Sequence, residues 1–129
     1  MEFEDPIKKF LGYISSRKFM LPYCGKCDKY IYPPRNFCPF CGSRNLEWRE
    51  ISGRGKLYAF TTNPDPILFP PGVLGIVELD EGVKVLSRID GKYEDLKIGM
   101  PVRLDFMEVT VGREKMVVHK FVPVKEEGG

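Results

Sequence analysis

Four cysteines stand in two matched pairs, Cys24-x2-Cys27 and Cys38-x2-Cys41, with ten residues between the pairs. Two residues between thiolates let both sulfurs of a knuckle point at one ion at about 2.3 Å. Two such knuckles give four soft ligands, which suits tetrahedral zinc or iron; with no redox partner in view, zinc is the expected ion. Sulfur fills every position and leaves no place for a metal-bound water, so the ion would be structural and not catalytic. Gly25 and Gly42 suit the tight backbone of the knuckles, because Gly tolerates positive φ. Two disulfides or free thiols are the alternatives for these sulfurs. A segment with so little apolar periodicity needs some crosslink to fold.

The remaining reactive residues form no catalytic constellation. The single histidine, His119, lies between Val118 and Lys120 in an expected strand, and none of the five serines sits in an elbow motif. A nucleophile needs a base within hydrogen-bond reach, and the thiols are committed to metal. Asp80-Glu81 and Glu94-Asp95 read as solvated turn residues. Gly53-Arg54-Gly55 lacks the Lys-Ser/Thr of a phosphate-binding loop. Its glycines are expected to open a strand with a bulge or a close backbone approach. No independent active site is expected.

The elements that would position the cysteines follow from local pattern. Asp5 suits an N-cap and Pro6 the first helical position, so 5–18 is expected as a helix. Ile7, Phe10, Leu11 and Ile14 give it one apolar stripe. A helix this short is marginal alone, so the stripe must pack on its own domain or on another protein. Residues 19–50, with four prolines, are expected as loops pinned by metal, with a short return strand at Leu46–Arg49.

From Gly53 onward, five runs rich in β-branched and aromatic residues are expected as strands: Lys56–Thr62, Val73–Leu79, Val83–Ile89, Val102–Val109 and Lys115–Val122. Tyr58 and Phe60, at i and i+2, would share the core face of the first. Asp80-Glu81-Gly82 and Val111-Gly112-Arg113 read as turns, and Leu96–Pro101 as a helical turn or short connection. The proline-rich Asn63–Gly72 reads as a stiff loop. Five antiparallel strands with a longer third connection fit an OB-type barrel, with an SH3-like barrel or partial sandwich as alternatives. The expected organisation is thus mainly β: an N-terminal amphipathic helix over 1–18, a rubredoxin-like zinc ribbon over 19–50, an OB-fold domain over 51–124 and a flexible tail over 125–129.

The composition narrows the partners. The chain has 129 residues and 43% apolar content, enough for a real core. Lys plus Arg number 20 against 18 Asp plus Glu, a balance that does not suggest a dedicated duplex-DNA binder. The basic excess lies in the first 60 residues, which could meet an anionic ligand or partner. No apolar run is long enough to span a membrane, and Glu2, Glu4 and Asp5 do not fit a signal peptide, so a cytoplasmic setting is expected. There, four cysteines are better metal ligands than disulfides. Gln is absent and Asn is scarce beside abundant Lys and Glu, a thermophile-like bias.

The ordered set Cys-x2-Cys, Pro33-Pro34-Arg35, Cys38-Pro39-x-Cys41-Gly42, Leu46-Glu47-Trp48, Ser52-Gly53-Arg54-Gly55, Val77–Gly82 and Ile98-Gly99-Met100-Pro101-Val102 resembles one family. It is the acyl-CoA-associated family in which a zinc ribbon precedes an OB-fold domain, and the likeness runs from about Phe10 to Val122. The resemblance implies a non-catalytic partner of thiolase-like enzymes. In archaea the family includes a small subunit that bridges acetoacetyl-CoA thiolase and hydroxymethylglutaryl-CoA synthase, at the head of the mevalonate pathway, and helps hold CoA. CoA carries a 3′-phosphate and a pyrophosphate, for which Arg and Lys are natural partners. Arg35, after the rigid Pro-Pro, and Arg54 and Lys56, opening the barrel, are the residues expected to touch them. The rival reading is a single-stranded nucleic-acid-binding zinc-ribbon/OB protein.

Overall fold

The computed structural model describes residues 5–62 and 72–124. The Asp5 carboxylate accepts hydrogen bonds from the backbone N–H groups of Ile7 and Lys8 at 2.9 and 3.3 Å, and Pro6 opens helix α1 (Pro6–Ser15). The helix stops short of the expected residue 18 because Arg17 adopts φ 60, a left-handed conformation that ends the ladder. Phe10 and Ile14 of the apolar stripe are buried, whereas Ile7 and Leu11 stay about half exposed. The helix therefore packs on its own chain with part of the stripe only. Its ring contacts join both halves of the molecule: Tyr13 meets Trp48 at 5.6 Å, and Phe10 meets His119 at 6.4 Å.

The cysteine segment holds more regular structure than its prolines suggest. Strand β1 (Met20–Cys24) pairs antiparallel with β2 (Lys29–Tyr30) and with β3 (Glu47–Glu50), giving the order β2-β1-β3. The return strand β3 matches the expected one; β1 and β2 are not legible from propensity. Pro22 is tolerated inside β1 because its backbone faces the β2 flank, where its carbonyl accepts from Ile31 N–H at 2.9 Å. Pro22 lies opposite Ile31 at the end of this short pairing, so its missing N–H forgoes only the reciprocal bond of the last rung.

The second half closes into a five-stranded barrel in the order β4-β5-β6-β8-β7, with β7 returning to β4. Its strands are β4 (Arg54–Thr62), β5 (Val73–Leu79), β6 (Lys84–Ile89), β7 (Pro101–Val111) and β8 (Glu114–Pro123). This is the expected OB-type barrel, with one difference: β6 and β8 run parallel, paired at Arg88↔Lys120 and Ile89↔Phe121. Closing an odd-numbered barrel forces at least one parallel neighbour pair, which an all-antiparallel reading cannot satisfy. A 3-10 turn at Tyr93–Asp95 precedes the expected Leu96–Pro101 position, where the described chain is a non-helical connection. The expected stiff loop Asn63–Gly72, except Gly72 itself, and the tail over 125–129 lie outside the described residues, as do residues 1–4.

Alternation fills the barrel. Leu57, Val73, Val77, Leu79, Val85, Ile89, Val102 and Phe121 are buried and share a core with Phe10, Ile14, Phe19 and Leu21 of the helix and ribbon. At Gly55 the expected close approach is present. An added Cβ would stand 2.5 Å from the Glu78 carbonyl oxygen and 2.8 Å from a Val77 methyl. Because the obstacle is ladder backbone, Gly55→Ala is expected to cost about 2 kcal/mol as an overpacking defect. Urea denaturation should show a lowered midpoint with an unchanged slope.

Tyr58 departs from the sequence expectation. The β4–β5 register shifts between Leu57 and Ala59, leaving Tyr58 as the extra residue of a bulge. Tyr58 is therefore 51% exposed, while Phe60 packs against the core and against Tyr93 at 5.2 Å. The two rings do not share a face, as strict alternation would require.

Candidate metal centre and its surroundings

The end of β1 and the two knuckles bring the cysteine sulfurs together. All four lie within 4.8 Å of one another. Cys24 and Cys41 sulfurs are 3.7 Å apart, and those of Cys38 and Cys27 are 3.8 Å apart. A tetrahedron with metal–sulfur bonds of about 2.3 Å has edges of about 3.8 Å, so the cage has the size of a tetrathiolate zinc site. No disulfide joins any pair. Cys24 and Cys38 are buried, Cys27 is half-buried and Cys41 is exposed.

Backbone geometry prepares the second knuckle. Gly42 adopts φ 77, and its N–H donates to the Cys38 carbonyl at 2.7 Å. In the first knuckle the left-handed residue is Asp28 at φ 54, and not Gly25. Asp is one of the few side chains that tolerate this region, and Asp28 also accepts a hydrogen bond from the Tyr23 hydroxyl. Burial pushes the Cys38 thiol up, but hydrogen bonds from the backbone N–H groups of Phe40 and Cys41 outweigh it and hold the thiol down at about 7. Hydrogen bonds with the Cys41 and Cys38 thiols, together with burial, push Cys27 the other way, up to about 12.

The expected phosphate contacts do not form one cluster. Arg54 and Lys56 are exposed side chains two apart on the outer face of β4. Arg54 stands opposite Arg103 of β7, and Lys56 opposite Glu78 of β5. Arg35 lies in the ribbon, between a shallow depression that Arg44 also lines and a cleft of about 430 Å³ against the barrel. That cleft is lined by Tyr30, Tyr32, Arg35 and Phe40 of the ribbon and by Val83 and Lys84 of the barrel.

Sequence reasoning missed Lys84, which the register links to Lys56. Glu78 is paired with Lys56 on one side and with Lys84 on the other, placing both lysines in one outer row. The Lys84 ammonium also sits 4.5 Å from the Tyr58 ring centre. Only the strand pairing reveals this row; the spacing of Lys56 and Lys84 along the chain carries no signal.

His119 is a strand residue, as expected, and is half-buried. Ser87 Oγ lies 2.8 Å from its Nδ1, and the Ser87 hydroxyl also reaches the His119 carbonyl at 3.3 Å. Rings of Phe10 and Phe19 stand edge-on to the imidazole. Burial pushes His119 down to about 4. Ser87 is only 4% exposed, so its hydroxyl is not open to a substrate, while His119 is half-buried. Neither described depression is lined by Ser, Cys or His.

Comparison with known proteins agrees with this architecture. Residues 15–47 match the model of the ChsH2 rubredoxin-like zinc ribbon domain, and residues 48–107 match that of the ChsH2 C-terminal OB-fold domain. The chain is 34% identical over 110 residues to a DUF35 domain-containing scaffold protein of Pyrococcus furiosus, covering 78% of this chain and 81% of that protein. The chain belongs to the DUF35 family. It is also 32% identical over 114 residues to a probable enoyl-CoA hydratase alpha subunit of Thermomonospora curvata, covering 85% of this chain but only 36% of that protein. A benzoylsuccinyl-CoA thiolase subunit of Thauera aromatica is 29% identical over 69% of this chain and 60% of its own. Among solved structures, the Ltp2-ChsH2(DUF35) aldolase matches at a TM-score of 0.79 and 27% identity, covering 95% of this chain and 98% of that one. These DUF35 relatives thus include scaffold proteins and proteins of thiolase and aldolase complexes. Among the described residues no helix is long and apolar enough to cross a membrane.

Proposed function

We propose that this chain is a non-catalytic scaffold subunit that docks to thiolase-like enzymes in the cytoplasm and bridges an acetoacetyl-CoA thiolase to a hydroxymethylglutaryl-CoA synthase. The observation that carries the reading is the ordered pairing of a closed four-sulfur ribbon with an OB barrel whose one Ser–His contact has its serine buried. The likeness to a DUF35 domain-containing scaffold protein over most of both chains supports it. A zinc held by Cys24, Cys27, Cys38 and Cys41 would offer no reactive position and would serve as a crosslink.

The chain's own residues would bind and confine the substrate. Arg35, Arg54 and Lys56 are exposed cations suited to the phosphates of an acyl-CoA. Holding two enzymes together raises the effective concentration of the intermediate at the second active site. That favours an uphill condensation by drawing off its product. Thiolase and aldolase partners of DUF35 relatives support the reading.

Tagged, zinc-loaded chain expressed at native level is expected to co-purify with one thiolase-type and one synthase-type protein. Recovery of zinc-loaded chain with neither protein would overturn the bridging role.

A further inference from the structure

The cleft between ribbon and barrel combines three aromatic rings with two cations, one of them without an anionic partner among the described residues. Tyr30, Tyr32 and Phe40 line one side, and Val83 and Lys84 the other, with Arg35 among them. Arg35 makes no hydrogen bond or ion pair with any described residue. Among the described residues, the anion nearest Lys84 is the Glu78 carboxylate at 3.9 Å, the outer limit of an ion pair. The Lys29 ammonium stands 4.1 Å from the centre of the Phe40 ring and adds a third positive charge. Glu81, beside the cleft in sequence, is held elsewhere by the Ser52 backbone N–H and hydroxyl at 2.7 and 3.3 Å.

Flat rings bind flat rings by stacking, and a guanidinium and an ammonium bind phosphate oxygens. A volume of about 430 Å³ is at the small end of ligand sites and holds one nucleotide, not a strand. The outer row leading away from the cleft is interrupted by Glu78 between Lys84 and Lys56, which opposes a continuous polyanion.

We propose that this cleft is a nucleotide head-group site, with the base against the Tyr30–Tyr32–Phe40 wall and a phosphate between Arg35 and Lys84. The site refines the acyl-CoA reading and rests on it, because CoA ends in such a head group. It also makes binding depend on both modules. Tyr30, Tyr32, Arg35 and Phe40 sit on the zinc-organised ribbon, and Lys84 on the barrel.

The test is calorimetric titration of the zinc-loaded full chain with adenosine 3′,5′-bisphosphate. Inorganic phosphate, adenosine and a short single-stranded oligonucleotide are the comparators. The bisphosphate is expected to bind at least about tenfold more tightly than phosphate or adenosine. Arg35→Ala and Lys84→Ala should each weaken it by about tenfold or more, as loss of a charge-assisted hydrogen bond does. Zinc content and thermal midpoint should stay unchanged in both, and Lys115→Ala, on the distant hairpin, should leave binding intact.

Equal affinity for inorganic phosphate, or indifference to both substitutions, would overturn the site. So would tighter binding of the oligonucleotide with a steep salt dependence, which marks a strand-binding surface. Failure here is separable from failure of the scaffold role: if only the cleft assignment is wrong, the chain still co-purifies with its enzymes. If only the scaffold role is wrong, the bisphosphate still binds.

Discussion

Replacing Cys38 with serine should release the zinc and melt the ribbon, while the barrel persists with reduced stability. Cys38 is fully buried, and its sulfur lies 3.8 Å from that of Cys27. Backbone hydrogen bonds already favour its thiolate, and a serine hydroxyl offers neither the acidity nor the softness that zinc selects. Structural zinc contributes about 10–16 kcal/mol in small finger domains. Beyond the cysteines, the ribbon's local cluster offers only Ile31 and Leu46, far too little apolar burial to replace that. The barrel is affected because Phe19 and Leu21, at the start of the ribbon, belong to the shared core. Elemental analysis should find about one zinc per wild-type chain and a large deficit in the variant. Hydrogen exchange should then lose protection over β1–β3 and keep it, weakened, over β4–β8. A variant that is metal-free yet fully protected in β1–β3 would refute the zinc-dependent ribbon.

Acidification should weaken the fold through His119. In the native protein burial holds this imidazole neutral down to about pH 4. In the unfolded chain it takes a proton near pH 6.5. Between those values the unfolded state binds more protons, so stability is complete above about pH 6.5 and drains away as pH falls towards 4. The full difference is about 3 kcal/mol. The ionised form is disfavoured by burial beside the Phe10 and Phe19 rings, and the polar contact at the ring among the described residues is the Ser87 hydroxyl. His119→Gln should remove this component. The wild-type minus variant difference in urea midpoint should therefore shrink steadily from pH 7 to pH 4.5. Contributions from zinc release and carboxylates cancel in that difference. A constant difference across the range would show that His119 is charged or solvated in the native state.

What the sequence discloses, and what it hides, follows the range of the interactions involved. The cysteine spacing, the Asp5-Pro6 helix start, the five barrel strands and the close approach at Gly55 all depend on residues near one another in the chain or on one residue's size. Each was readable. Strands β1 and β2 are stabilised by pairing and by the knuckles, so Pro22 and the short β2 segment mislead a propensity argument. The Tyr58 bulge depends on how β4 meets β5, and a single strand carries no mark of the slip. The parallel β6–β8 contact comes from ring closure. The positive row with Lys84, and the cleft beside it, arise from strand register and from the seating of the ribbon on the barrel. No motif could announce them.

The β6–β8 contact has two registered pairs, the fewest among the five seams of the ring. Ser87 on one side and His119 on the other fasten it further, and Phe10 of the helix lies against that fastening. The hoop is thus clasped at its weakest stave by a segment that is not part of the hoop. A partner that gripped the outward Ile7 and Leu11 would hold the same helix whose Phe10 lies against the clasp.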